Sequence, residues 1–284
     1  MKKEDAQQLA DQAIAALQEE LKAGHSETLL KYLDAMSHFH NYSLSNCMLI
    51  ALQMPDATFV AGFRRWLKLG RHVRQGEKGI GIMAPLVYRK QDDSKAETSS
   101  ASTKDDGPQK TVRGFRIVHV FDISQTDGDD LPELTDIAGD PGQLLSSLEE
   151  LIRSNGINLQ DEVLGVGVKG VSRKGEIGIA ESLPAAERFA VLAHELAHEW
   201  MHDDEHRRQL TKTVRETEAE AVAYVVCRSF GLDCSTRSSD YIQLYAGSEA
   251  TLIASLERIQ KTSTRMIESL SHQSNVQSEE SLVA

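Results

Sequence analysis

Cysteine is scarce in this chain, with three residues in 284. Cys47, Cys227 and Cys234 are too few and too scattered for a disulfide framework, and they read as free thiols of a reducing compartment. None stands in Cys-x-x-Cys spacing, which argues against a cysteine zinc knuckle. Long apolar runs are missing as well. No stretch reaches the roughly 18 uninterrupted apolar residues of a spanning helix. Met1 to Glu20 is charged and has no apolar h-region, so it is not expected to be a signal peptide. A soluble, cytoplasmic protein with no membrane partner is the expectation. Positive charge is also in deficit: 31 Lys and Arg stand against 43 Asp and Glu, formally −12. That balance argues against nucleic acid or an anionic membrane covering the whole surface, and leaves local patches open.

The length suffices for two domains, each with a core. The pattern predicts an α+β protein of two domains: an N-terminal one of helices and a small antiparallel sheet, then a C-terminal one of helices and short strands. Asp5 to Leu52 is helical, with stripes at Leu9, Ala13, Ala16 and Leu17 and at Leu29, Leu30, Leu33 and Met36. Phe59 to Gly70 reads as a short basic helix, and Gly79 to Arg89 and Gly114 to Ser124 as strands. The polar stretch between them, about 91–111, cannot build a core and is expected to be a disordered hairpin insertion. An acidic break, Gln125 to Pro141, suggests a boundary: a first domain 1–125, a linker 126–141, a second domain 142–270 and a disordered polar tail 271–284. In the second domain, Gly142 to Ser154 reads as helix, and Val163 to Val171 and Gly175 to Ala180 as strands. Helices follow, one opened by Ser182-Leu183-Pro184, then Val214 to Phe230 and Tyr241 to Leu270. No internal repeat is visible.

What stands out is His194-Glu195-Leu196-Ala197-His198, His-Glu-x-x-His inside a helical run. Residues four apart share a helix face, offset by roughly 40° and about 6 Å along the axis. Two imidazoles so placed reach one Zn²⁺ at about 2.0–2.1 Å, and the Glu between them faces the activated water. Apolar Val191, Leu192, Leu196 and Ala197 make the helix a buried one, where histidines need partners. The third ligand must lie downstream. Glu216 and Glu220 are four apart in the next helix and share a face, whereas Glu218 points elsewhere. Glu216 is assigned as ligand and Glu220 as a carboxylate orienting a ligand histidine. Two histidines, a glutamate and one open position form a catalytic zinc arrangement. A metzincin extension would need Gly at 201 and His at 204, where this chain has Met201 and Asp204. His202 sits about 80° around the helix from His194 and reads as a packing or hydrogen-bonding histidine. The strand Glu176 to Ala180 is expected to be the edge that pairs with an extended peptide substrate. Glu195 is the expected catalytic base and Tyr241 a candidate oxyanion donor.

From Phe59 to Lys90 the local charge inverts. Arg64, Arg65, Lys68, Arg71, Arg74, Lys78, Arg89 and Lys90 stand against Glu77 alone, interleaved with Phe63, Trp66 and Tyr88. Cations beside aromatic platforms are what single-stranded DNA requires, and a basic protein-docking face is the alternative. Arg64, Arg65, Trp66, Lys68, Arg71, Arg74 and Lys78 are the candidate DNA contacts. For the polar cluster Asn41, Tyr42 and Asn46, helix capping is the simpler explanation.

Asn41-Tyr42-Ser43-Leu44-Ser45-Asn46, Gly70-Arg71-His72-Val73-Arg74-Gln75-Gly76-Glu77-Lys78-Gly79 and Phe115 to Ser124 together resemble the N-terminal domain of ArdC-type antirestriction proteins. His194 to His198 with Glu216 to Ala223 resembles that family's zincin-like peptidase domain and the ImmA/IrrE metallopeptidases. The resemblance implies a single-stranded-DNA-binding domain fused to a zinc-dependent metallopeptidase-like domain, with its Glu-x-x-x-acid pattern falling on Glu216 and Glu220. One departure is Glu220, where ImmA/IrrE relatives often carry Asn or Asp. Two other readings accompany it: a DNA-binding protective protein with a structural or sensory zinc domain, and a peptidase cleaving a specific repressor.

Overall fold

A computed structural model describes residues 2–89, 110–129, 140–165, 167–232 and 249–281. The chain runs α1 (Lys3–Lys22), α2 (Glu27–His38), α3 (Leu44–Gln53), β1 (Val60–Gly62), α4 (Phe63–Lys68), β2 (Arg71–Val73), β3 (Ile80–Arg89), β4 (Lys110–Asp122) and β5 (Thr126–Gly128). It continues through α5 (Gln143–Ser154), β6 (Asn158–Glu162), β7 (Gly170–Ser172), β8 (Glu176–Ala180), α6 (Ala185–Met201), α7 (Asp204–Gln209), α8 (Lys212–Ser229) and α9 (Glu249–Ser281). The α+β class holds. No helix among the described residues is long and apolar enough to cross a membrane.

The helical stretch 5–52 is three helices. Gly24 takes a left-handed φ of 85° after α1, and Ser43 caps α3 through the Asn46 N–H at 3.4 Å. Asn46 itself has another task. Its side-chain amide donates to Met83 O at 2.8 Å and its oxygen accepts from Met83 N at 2.9 Å. One face along, Gln53 does the same for Gly81, at 2.9 and 3.0 Å. β3 lies at the edge of the antiparallel sheet β1-β4-β3, and these two amides satisfy the backbone groups that edge would leave bare.

β3 and β4 form the expected hairpin, and the 91–111 insertion lies almost wholly outside the described residues. The stretch assigned to an acidic linker begins instead as strand: β5 pairs antiparallel with β2, Arg71 opposite Gly128. Val163 to Lys169, expected as strand, is loop where described, because the strand residues flank it in β6 and β7. α9 continues through Ser281, past the start of the expected tail, since a polar sequence without Gly or Pro still propagates a helix once its first turns are packed. Cys47 is buried and free, its thiol pushed up to about 12 by burial, whereas Cys227 is disulfide-bonded. The expectation of three free thiols therefore fails at Cys227.

A single cluster of buried side chains runs from α1–α3 through α5, α6, α8 and α9. Polar contacts cross it too. Tyr224 of α8 donates to Asp34 of α2 at 2.7 Å, and Thr264 of α9 donates to His40 O at 2.7 Å. The helix α8, which packs on the helix bearing the His-Glu-x-x-His, is thus held from both halves of the chain.

Candidate metal centre

α6 starts after Pro184 and buries Phe189, Leu192, Ala193, Leu196 and Ala197, which fixes the helix rotation. The opposite face turns His194 and His198 toward α8. Asp203 and Thr211 cap α7 and α8, so the chain reverses tightly and brings Glu216 back against both histidines. The Nε2 atoms of His194 and His198 are 3.1 Å apart, and Glu216 Oε2 lies 3.6 and 3.4 Å from them. A tetrahedral ion with ligands at about 2.0–2.1 Å sets its donor atoms about 3.3 Å apart. The triangle has that size, and these three residues are the ones among those described whose donor atoms converge so closely. Two imidazole nitrogens at 3.1 Å with a carboxylate across from them fit a divalent cation well. The Glu216 carboxyl is held well below the usual carboxylate range, chiefly by hydrogen bonds from His194 and His198.

Glu220 lies 3.4 Å from His194 Nδ1, the far side of that ring from Glu216. Glu218 faces away from both, as expected, into the core: its side chain is fully buried and 3.0 Å from His202 Nε2. His202 is a buried hydrogen-bonding histidine, its Nδ1 2.9 Å from His198 Nδ1. Burial, first, pushes His202 below its ordinary pKa. The expected hydrogen-bonding role of His202 is met, and what the sequence did not indicate is its carboxylate partner, Glu218.

Glu195 is 7 % exposed and stays outside the ligand triangle. Burial pushes its carboxyl up to about 7, with the Glu216 and Glu199 charges adding to that and His194 opposing it. The backbone of Ser172 in β7 weakly opposes that rise. Here the expected edge strand needs correction. β8 is the central strand of the sheet β6-β8-β7, paired on both sides, and β7 is the edge lying over α6. Lys169 and Arg173 bond to β8 through Ala180 N and Glu176 O, so by alternation the Gly170 and Ser172 backbone groups turn away from β8. Glu199 fastens the turn that follows, accepting from Lys174 N at 3.0 Å and Gly175 N at 2.7 Å.

A groove of about 780 Å³ collects these elements, lined among others by Gly170, Val191, His194, Glu195, Glu216 and Tyr224. At Gly170 the strand approaches α6 so closely that a Cβ would sit 2.5 Å from Val191 Cγ1 and 2.8 Å from Glu195 Oε1. Gly170→Ala is expected to push β7 off the helix at a cost of about 1–3 kcal/mol, read as a lowered melting temperature. An unchanged melting curve would contradict this close packing.

Tyr241 lies outside the described residues. In the N-terminal half, Arg64, Arg65, Lys68 and Lys78 are exposed and make no ion pair among the described residues. Arg71 is tied to Thr126 at 2.9 Å through Nε, and Arg74 pairs with Glu77 at 3.0 Å and Asp127 at 3.4 Å. Trp66 is no stacking platform. It is 0 % exposed, edge-on to Phe59, with Nε1 donating to Phe121 O at 2.9 Å. The apolar groups α4 offers to solvent are Phe63 and Leu67, one turn apart.

Comparison with known proteins agrees with this two-part construction. A family model described as the N-terminal domain of anti-restriction factor ArdC matches residues 3–121, and a peptidase-family model, the IrrE N-terminal-like domain, matches residues 156–227. An uncharacterized protein of Bacillus anthracis is 27 % identical over 250 residues, which cover 76 % of this chain and 42 % of that protein. The chain thus spans less than half of that relative's length. The crystal structure of antirestriction ArdC protein from R388 plasmid, metal-free, is similar with a TM-score of 0.52 at 18 % identity, covering 94 % of this chain and 98 % of that one. Its Mn(II)-bound structure gives a TM-score of 0.50 at 18 % identity, covering 93 % and 97 %. That likeness shows a shared fold, and the two family models make the chain similar to ArdC in its N-terminal part and to the IrrE-like peptidase family in its C-terminal part.

Proposed function

We propose that this protein is a zinc-dependent metallopeptidase delivered to single-stranded DNA by its N-terminal half, acting in antirestriction. The observation that carries the proposal is the triangle of His194, His198 and Glu216 beside a buried, separately held Glu195. A zinc ion bound there supplies a Lewis acid that acidifies water and polarises a carbonyl. Glu195, titrating near neutrality, takes the water's proton on its carboxylate and returns it to the leaving amine. An extended peptide pairs with the outward backbone groups of β7 at Gly170, which sets its carbonyl in the groove above His194. Three protein ligands leave a position open, as catalysis requires and a structural zinc site does not. The R388 relative has a metal-free and an Mn(II)-bound crystal structure, so that protein's fold stands without its ion.

Arg64, Arg65 and Lys68, exposed around Phe63, are the proposed DNA contacts, with Lys78 adding charge nearby in sequence. Arg71 and Arg74 serve chiefly to brace the β2–β5 pairing. Replacing Arg64, Arg65 and Lys68 by Gln is expected to weaken single-stranded DNA binding. The log–log salt slope should fall by about 2, because each phosphate left without its cation accounts for roughly 0.7. Fluorescence anisotropy at several salt concentrations measures this. Binding that ignores both salt and these substitutions would remove the DNA half of the proposal.

A further inference from the structure

His198 turns Nε2 toward His194 and Glu216, and its other nitrogen meets a second histidine. His198 Nδ1 is 2.9 Å from His202 Nδ1, and His202 Nε2 is 3.0 Å from Glu218 Oε2. Glu218 Oε1 accepts from Ser255 Oγ at 2.6 Å and from the Arg258 guanidinium, both on α9. The side chains of His202 and Glu218 are fully buried.

The hydrogen positions follow from this wiring. One hydrogen, not two, fits between the facing Nδ1 atoms. Glu218 receives donors from Ser255 and Arg258, so it is a carboxylate, and His202 gives it the Nε2 hydrogen. His202 then offers the lone pair on Nδ1, and His198 must carry its own hydrogen on Nδ1. That leaves the His198 Nε2 lone pair open on the side of Glu216, the form in which an imidazole binds a metal. A buried ion pair such as Glu218–Arg258 adds little stability over apolar residues of the same volume, so stability alone does not account for it.

We propose that His202 and Glu218 are positioning residues of the metal centre. They form a carboxylate–histidine–histidine chain that locks the ring and tautomer of His198, with Ser255 and Arg258 tying the chain to α9. The inference rests on the metal reading above. It makes the C-terminal helix part of the metal site's support, although α9 contributes no ligand to the triangle.

The test measures Zn²⁺ affinity of the full chain by competition with a chromophoric chelator, beside the melting temperature of the metal-stripped protein. His202→Phe, which fills the space without a hydrogen bond, is expected to lower affinity about 10–100-fold. His202→Gln is expected to recover most of that loss, since its amide accepts from His198 and donates to Glu218. Should His202→Phe fail to fold, the double variant Glu218→Leu, Arg258→Met replaces the ion pair by an apolar pair and should fold and still bind zinc more weakly. Nitrogen-15 spectra of the loaded wild type should show hydrogens on His198 Nδ1 and His202 Nε2. Wild-type affinity in His202→Phe, or His198 coordinated through Nδ1, would overturn the chain while leaving the metal site intact. A wild type that binds no zinc would overturn both.

Discussion

Glu195→Gln is expected to lower peptide hydrolysis about 10²–10⁴-fold, the usual share of a general base, with zinc content unchanged. The two halves of that result have separate causes. Glu195 is not one of the three converging donors, so removing its charge leaves the triangle of His194, His198 and Glu216 standing. Its carboxyl sits under β7 beside Gly170, 7 % exposed. Glutamine preserves the volume, so the fold and the groove persist. What is lost is a proton acceptor. Retained hydrolysis in Glu195→Gln would mean that another group does the proton transfer, and loss of zinc would mean that Glu195 belongs to the coordination set.

The second large effect is expected at Trp66, on stability and not on recognition. Trp66→Ala should destabilise the protein by about 3–5 kcal/mol, since it empties a fully buried site and strands the Phe121 carbonyl that the indole holds. Phe63→Ala, at a position 50 % exposed, should leave stability within about 0.5 kcal/mol. The order reverses for DNA. If Phe63 stacks on a base, its removal weakens single-strand binding by about 1–3 kcal/mol, whereas Trp66→Ala weakens it only as far as it unfolds the protein. Denaturant titrations and anisotropy on the same two variants separate these effects. A stable Trp66→Ala protein without DNA binding would restore the tryptophan as a contact.

The contrast between Trp66 and the zinc motif shows what the sequence makes legible. His-Glu-x-x-His is local: helix geometry alone determines that His194 and His198 share a face, and the same rule pairs Glu216 with Glu220. Which face of a six-residue helix looks inward is a tertiary fact. α4 carries apolar groups at Phe63, Trp66 and Leu67, and only packing against β4 and Phe59 selects the tryptophan for the core. Strand order is likewise non-local. Glu176 to Ala180 reads as a strand before the metal helix, but its place at the centre of the sheet depends on β6 and β7 both choosing it. Glu218 escaped for a related reason. α8 is packed by α2, α6 and α9, so its buried residues run almost all round the helix, and a carboxylate between two others gives no sign that it turns inward toward His202.

Whether His194, His198 and Glu216 hold a metal is read most directly by elemental analysis of the full chain, stripped with chelator, reloaded with zinc and desalted. Wild type should retain about one zinc per chain, and His198→Ala and Glu216→Ala should each retain almost none under the same wash. Zinc retained equally by all three proteins, or by none, would contradict the assignment.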